Sequence, residues 1–359
     1  MSEPRAAVDP RAAMLDDPAA RSRLDPQGMG GVLSRFPAQC REAQALRPVP
    51  DVAVGPPRLV VVAGMGGSAA GGDLLSACAG DRLRVPVLTH RGYGLPAAVG
   101  PGTLVIAASY SGDTAEAVSA FEAALAAGAV VLAVTQGGRL GALAARHQAP
   151  LVRLPGGLPP RLALGYLFFP LLGILAGAGL PTLPPTEVAE ALEVVEALAV
   201  ELGPAEPAGK NEAKHLALEI GDRTPVAYGG QLTGAVAYRW KTDVEENAKR
   251  LAVAGALPEM NHNEIEAWRA PEAGRLHAIL LRDRGEHPDI GRRFDLLRAM
   301  IGPVAGGVSE AWSRGEGRLA RLLSLVYLGQ WTSYYLALWR GVDPWAVPLL
   351  EEVKRRLRG

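Results

Sequence analysis

RLVVVAGMGGSAAGGDLL (58–75) is the stretch that decides the fold. Its apolar run RLVVVAG (58–64) reads as a strand buried on both faces, closed by a glycine cluster and followed by the helix-like DLLSACAG (73–80). The same alternation extends outward through VPVLTH (85–90), TLVIAAS (103–109) with a helix over 114–127, AVVLAVT (129–135) and APLVRLP (149–155). Five uninterrupted apolar strands separated by helices predict an α/β, doubly wound domain whose mostly parallel sheet is covered on both faces and ends near Pro155.

Upstream, 36–46 reads as a short helix, and 1–35 as a ragged tail without the apolar stretch of a secretory or transit peptide. Downstream, 159–221 reads as a helical connector, with TEVAEALEVVEALAVEL (186–202) spaced for one buried face. The rhythm then restarts in a second α/β domain, 222–359. Its strands are expected at TPVAYGG (224–230), LHAILLRD (276–283) and GPVAGGVSE (302–310), and its helices over 233–250, 319–339 and the closing VPLLEEVKRRLRG (347–359). Residues 284–301 carry no recognisable motif. The uncharged segment 162–180 is long enough for a membrane span, yet Pro170, its glycines and the lack of a second span favour a helix buried in protein.

The chain has 359 residues, with 37 lysines plus arginines balancing 37 aspartates plus glutamates. No broad field draws it to nucleic acid or an anionic membrane, so a small molecule is the expected partner. Cys40 and Cys78 are too few for a disulfide framework, which fits a reducing, cytoplasmic setting.

Two loops at strand ends carry the candidate chemistry. In GMGGSAAGGD (64–73), Gly66 and Gly67 let backbone amides approach a ligand at a helix N-terminus, and Ser68 adds a hydroxyl. In SYSGDTAEA (109–117), Ser109, Ser111 and Thr114 surround the next helix start. Helix capping explains one such loop. Two on separate strands of one sheet favour a shared anion. Gly64, Gly66 and Ala69 also fit a dinucleotide pattern, but the following strand ends in His90 and Arg91 where a ribose-binding acid is wanted, so no cofactor is expected.

The pair GMGGSAAGGDLL and ASYSGDTAEA resembles the sugar isomerase (SIS) domain, in which such loops hold a sugar phosphate. The segment RWKTDVEENAKRLAVAGALPEMNHNEI (239–265) offers an acid and a base. Glu245 stands four residues from both Lys241 and Lys249, the spacing of an ion-pair stripe, while Glu246 lies about 100° around the helix and is able to face inward. The spacing alone leaves both as surface residues equally well. ENAK and PEMNHNEI, however, resemble the bifunctional phosphoglucose/phosphomannose isomerase family, and the resemblance runs from about Phe36 onward.

That resemblance implies aldose-ketose isomerisation of hexose 6-phosphates through an enediolate. Glu246 would be the proton-transfer base and His262 the ring opener, donated by the neighbouring subunit of a homodimer. Arg161, following Pro160 just past the first sheet, would steady the enediolate, and Lys354 would assist ring opening. Without the resemblance, His262 is a loop histidine, Arg161 a helix-end residue and Lys354 an amphipathic-helix lysine, although Lys354 is one of only five lysines. The DPWAVP turn (343–348) departs from the family's usual residues. The six histidines are scattered singly, so metal independence is expected. A non-catalytic sugar-phosphate sensor is the alternative, although no basic DNA-binding segment accompanies the cradle. An amidotransferase is disfavoured because position 2 is serine, not cysteine.

Overall fold

Valine-rich runs bounded by glycine become the strands of two sheets in the computed structural model, which describes residues 10–52, 55–181 and 183–358. The chain divides into two compact units, Phe36–Leu192 with Gly317–Leu319, and Met1–Arg35 with Glu193–Glu316 and Ala320–Gly359.

The first unit holds β1 (Leu59–Ala63), β2 (Val87–His90), β3 (Thr103–Ala108), β4 (Val130–Thr135) and β5 (Leu151–Arg153) in the order β2-β1-β3-β4-β5. Every pairing is parallel, as the apolar runs require. β3, central and buried throughout, packs with β1 and β4 against Val118, Phe121, Leu140 and Ala144 on one face. The helix Gly67–Ala79 meets Leu164–Gly177, the segment with membrane-like composition. A Cβ at Gly71 would overlap the Leu167 carbonyl, so glycine permits this close packing. Among the described residues, no helix is long and apolar enough to cross a membrane.

The second unit holds β6 (Thr224–Gly229), β7 (Val253–Ala256), β8 (Leu276–Arg282) and β9 (Gly307–Trp312), all parallel, in the order β7-β6-β8-β9. Two parallel α/β halves are therefore present as expected. β7 escapes sequence reading because VAGA is short and half-exposed, with no apolar run or alternation. The strand expected over 302–310 starts later, at Gly307, because 302–306 turn after the helix Pro288–Ile301. That helix fills the stretch without motifs, opened by His287, whose ring accepts the Asp289 amide, and by Pro288 in the first turn.

The first 35 residues are not a ragged tail where described, and residues 1–9 lie outside the described set. Helices Pro10–Asp16, Pro18–Leu24 and Met29–Ser34 bury Leu15, Met29 and Leu33. Asp17 caps the second, and Asp25 accepts the Met29 and Gly30 amides at 2.7 and 2.9 Å. Asp16 meets the fully buried Lys214 ammonium at 2.7 Å. Helices this short show too little periodicity to be read from sequence. The expected connector over 159–221 is divided as well: the boundary between units falls inside the helix Pro185–Glu201.

His277 on β8 is 3% exposed, its Nε2 2.7 Å from Ser309 Oγ, which in turn donates to Glu219. Its Nδ1 is buried without a hydrogen-bond partner, and burial pushes the ring down to about 4. The unfolded chain therefore takes up a proton that the folded ring refuses. The contribution of His277 to stability should be constant above about pH 6.5 and fall by up to about 3 kcal/mol as pH drops toward 4. Urea unfolding between pH 4 and 8 checks this: the stability difference between native protein and His277→Gln should narrow as pH falls, and a pH-independent difference rejects it.

Candidate active site

In the first sheet the chain leaves β1 toward β2 on one side while β3 pairs on the other, so the carboxyl ends of β1 and β3 flank a topological switch point, where α/β sheets bind ligands. Both small-residue loops emerge there. The first turns at Gly66, whose φ of +51° suits glycine, into the helix Gly67–Ala79. The second leads into the helix Ala115–Ala126.

Neither helix start is capped by a side chain. Thr114 occupies the N-cap position, yet its hydroxyl lies 2.8 Å from Ser109 Oγ instead of capping its own helix. Capping alone therefore does not account for Thr114. Ser109, fully buried, also accepts the Gly112 amide at 3.0 Å, and Ser68 accepts the Tyr110 amide at 3.1 Å. Ser68 thus joins the two loops and Ser109 braces its own, while Ser111 is exposed at the rim, its Oγ 3.3 Å from the Asp113 amide.

Pro160 and Arg161 join the same place. A Cβ at Gly67 would lie 2.7 Å from the Pro160 carbonyl oxygen and 3.2 Å from Arg161 Cα, so glycine is what lets the turn Pro160–Leu162 dock on the first loop. Gln39 fixes that turn, donating to the Leu162 carbonyl at 2.9 Å and accepting the Gly165 amide at 2.7 Å. Arg161 is 3% exposed, its Cα beside the first loop. Gly66, Gly67, Ser68, Ser109, Ser111, Thr114, Pro160 and Arg161 therefore share one corner of this unit, with amides, hydroxyls and one cation suited to an anion.

Sequence reading missed a third loop, Thr135 to Gly138 after β4. A Cβ at Gly112 would overlap the Gly137 carbonyl, one at Gly138 would lie 2.6 Å from the Ser111 carbonyl oxygen, and the Arg139 amide donates to Asp113 at 3.1 Å. The signal was available: TQGGRL (135–140) repeats the strand, glycine, helix order of the first two loops. Arg91, the residue after β2, pairs with Asp73.

The remaining candidates lie in the second unit. Glu246 is half-buried in the last turn of Gly234–Ala248, a helix held by Trp240, whose Nε1 donates to the Leu325 carbonyl at 2.8 Å. Its neighbour Asn247 donates to Ser333 Oγ at 2.9 Å. Glu245 pairs with Lys241 at 2.7 Å. Lys249 does not complete the expected stripe, because the helix stops at Ala248 and Lys249 turns left-handed at φ +51°, its ammonium on the Asn247 and Asp343 carbonyls. His262 ends the 3-10 turn Glu259–His262 and is exposed. Lys354 is exposed on Pro348–Arg358.

The switch point of the second sheet is closed on itself. Thr233 accepts the Gly230 amide at 2.7 Å and donates to the Leu281 carbonyl at 2.7 Å, and it is fully buried. Among the described residues, no three histidine, cysteine or carboxylate groups gather as metal ligands.

Residues 209–357 match the model of the bacterial phospho-glucose isomerase C-terminal SIS domain. A bifunctional phosphoglucose/phosphomannose isomerase of Caldicellulosiruptor bescii is 39% identical over 83% of this chain and 89% of its own length. Its namesake from Aquifex aeolicus is 33% identical over 83% and 90%. The crystal structure of a glucose-6-phosphate isomerase like protein from Thermus thermophilus shares the fold at a TM-score of 0.62 and 24% identity, covering 95% of this chain and 98% of that one. On sequence similarity that spans both units, the chain belongs to the bifunctional phosphoglucose/phosphomannose isomerase family.

Proposed function

We propose that this protein interconverts the aldose phosphates glucose 6-phosphate and mannose 6-phosphate with fructose 6-phosphate, by proton transfer through an enediolate. The observation that carries the reading is the pair of uncapped helix starts, joined through Ser68, which accepts the Tyr110 amide, and suited to a phosphate dianion. The phosphate is the handle, and its binding energy holds the reacting carbons for chemistry.

In this reading the backbone of Gly66 and Gly67 with Ser68, Ser109, Ser111 and Thr114 grips the phosphate, and Pro160 sets the turn that carries Arg161. Glu246 carries the proton between the two carbons, Arg161 stabilises the charge that develops on oxygen, and His262 with Lys354 opens the sugar ring. His262 is exposed, which supports its donation to the neighbouring copy in a homodimer. Cytoplasmic residence is supported by two free, buried cysteines, with burial pushing the Cys78 thiol up to about 12. The mechanism uses no metal or cofactor, so chelator should leave the rate unchanged.

Purified protein assayed on fructose 6-phosphate should form both aldose phosphates. Glu246→Gln should lower kcat by about 10²- to 10⁴-fold at little change in KM, the range for loss of a general base. Full activity in that variant removes Glu246 as the base, and binding without turnover by the native protein supports a sensor instead.

The cradle makes a separate prediction. Ser111→Ala should raise KM by roughly tenfold with kcat nearly unchanged, the effect of one hydrogen bond to a charged group made equally in ground and transition states. An unaltered KM excludes Ser111 from phosphate binding.

A further inference from the structure

We propose that Lys249 is a positioning residue for Lys354: its ammonium latches the turn 343–347, which aims the closing helix Pro348–Arg358, onto the end of the helix that carries Glu246. This rests on the reading of Lys354 as a group that assists ring opening.

The closing helix finds little support along its own length. From Pro348 to Leu357 every residue except Glu352 is exposed. Within its unit, the direction of that helix is therefore set by the chain that leads into it. This chain leaves the helix Arg318–Trp339 through Gly341, left-handed at φ +69°, and the Val342 amide still returns to the Ala337 carbonyl at 3.0 Å. Asp343 is the first residue past that closure. Its carboxylate accepts the Trp345 amide at 2.8 Å and the Ala346 amide at 3.4 Å, which rounds the turn, and its carbonyl accepts the Lys249 ammonium. Arg340 reaches the same helix end, donating to the Ala248 carbonyl at 3.0 Å, but from a position before Gly341. The Lys249 bond falls beyond the glycine, on the turn itself.

Lysine is a costly choice at this position. Among the described residues Lys249 is one of two non-glycine residues with a positive φ, at φ +51° and ψ +42°. Glycine is the usual residue where a helix ends left-handed, because a Cβ crowds the backbone there. What lysine adds is reach. The same ammonium donates to the carbonyl of Asn247, the residue after Glu246, at 3.0 Å and to that of Asp343, 94 residues on. A cation also suits the negative end of a helix. Lys249 is exposed, and water competes for its ammonium, so the two bonds contribute modestly to stability. Their effect is to fix where the turn leaves.

The test compares kcat, KM and thermal midpoint for Lys249→Gly, Lys249→Arg, Lys354→Ala and the Lys249→Gly/Lys354→Ala double variant on fructose 6-phosphate. Lys249→Gly removes the ammonium and relieves the left-handed strain together, so the midpoint should hold. Its kcat should fall by about 10- to 100-fold at nearly constant KM, the scale of a misplaced reacting group. Lys249→Arg, which keeps a long cationic donor, should recover most of the rate. In the Lys354→Ala background the glycine change should cost nothing further, since no ammonium is left to aim. Lys249→Asn, which tolerates a left-handed backbone and carries no cation, takes the place of Lys249→Gly should that variant fail to fold. Losses that multiply with Lys354→Ala, or full activity in Lys249→Gly, overturn the proposal while the role of Lys354 stands. Full activity in Lys354→Ala alone removes that role, and the proposal with it.

Discussion

Backbone meets backbone at the carboxyl edge of the first sheet with no room for a single extra carbon. A Cβ at Gly64 would lie 2.7 Å from the Ala108 carbonyl oxygen, one at Gly67 the same distance from that of Pro160, and one at Gly138 2.6 Å from that of Ser111. Everything proposed for the cradle depends on this constraint. Amides from separate strands converge on one anion only if the segments bearing them touch, and any side chain at these glycines would wedge them apart. The hydroxyls then divide their labour by depth. Ser68 and Ser109, both buried, spend their hydrogen bonds on the loops themselves, so the cradle is in place before a ligand arrives, and the outer Ser111 remains at the rim.

The second unit repeats the topology with the opposite outcome. Its strands run parallel and reverse order at the same relative point, yet Thr233 closes the gap with two hydrogen bonds of 2.7 Å. What this unit offers instead is a stiff platform. Trp240 is fixed to the Leu325 carbonyl, at a position where a Cβ on Gly329 would overlap its indole. Arg239 and Asp243 form a buried pair at 2.7 Å, and Asn247 bonds Ser333. Glu246 stands on this braced helix, a support of the kind its proposed role would require.

Much of this was legible in the sequence because both strands and loops are local. Runs such as LVVVA and TLVIAA contain enough β-branched and apolar residues to identify buried parallel strands, and glycine beside serine marks the turns after them. What escaped depends on contacts distant in sequence. β7 is recognisable only by its pairing with β6, and the N-terminal helices only by partners such as Lys214, 198 residues from Asp16. The turn that carries Arg161 is held by Gln39, more than a hundred residues away, so no local spacing announces a buried cation. Spacing set Glu245 on an ion-pair stripe with two lysines, yet only the Lys241 half forms, because Lys249 leaves the helix.

The chemistry of the cradle also bears on specificity. Amides and hydroxyls at two helix starts recognise the shape and charge of a phosphate, and both properties are identical in glucose, mannose and fructose 6-phosphates. Grip on the handle therefore contributes equally to each substrate and cannot by itself distinguish C2 epimers. Discrimination has to arise where the carbon chain is handled, from groups placed to differ in their contact with one hydroxyl. On the proposed reading, sugar choice therefore rests on the groups that handle the carbon chain, and tight phosphate binding is compatible with a broad sugar range.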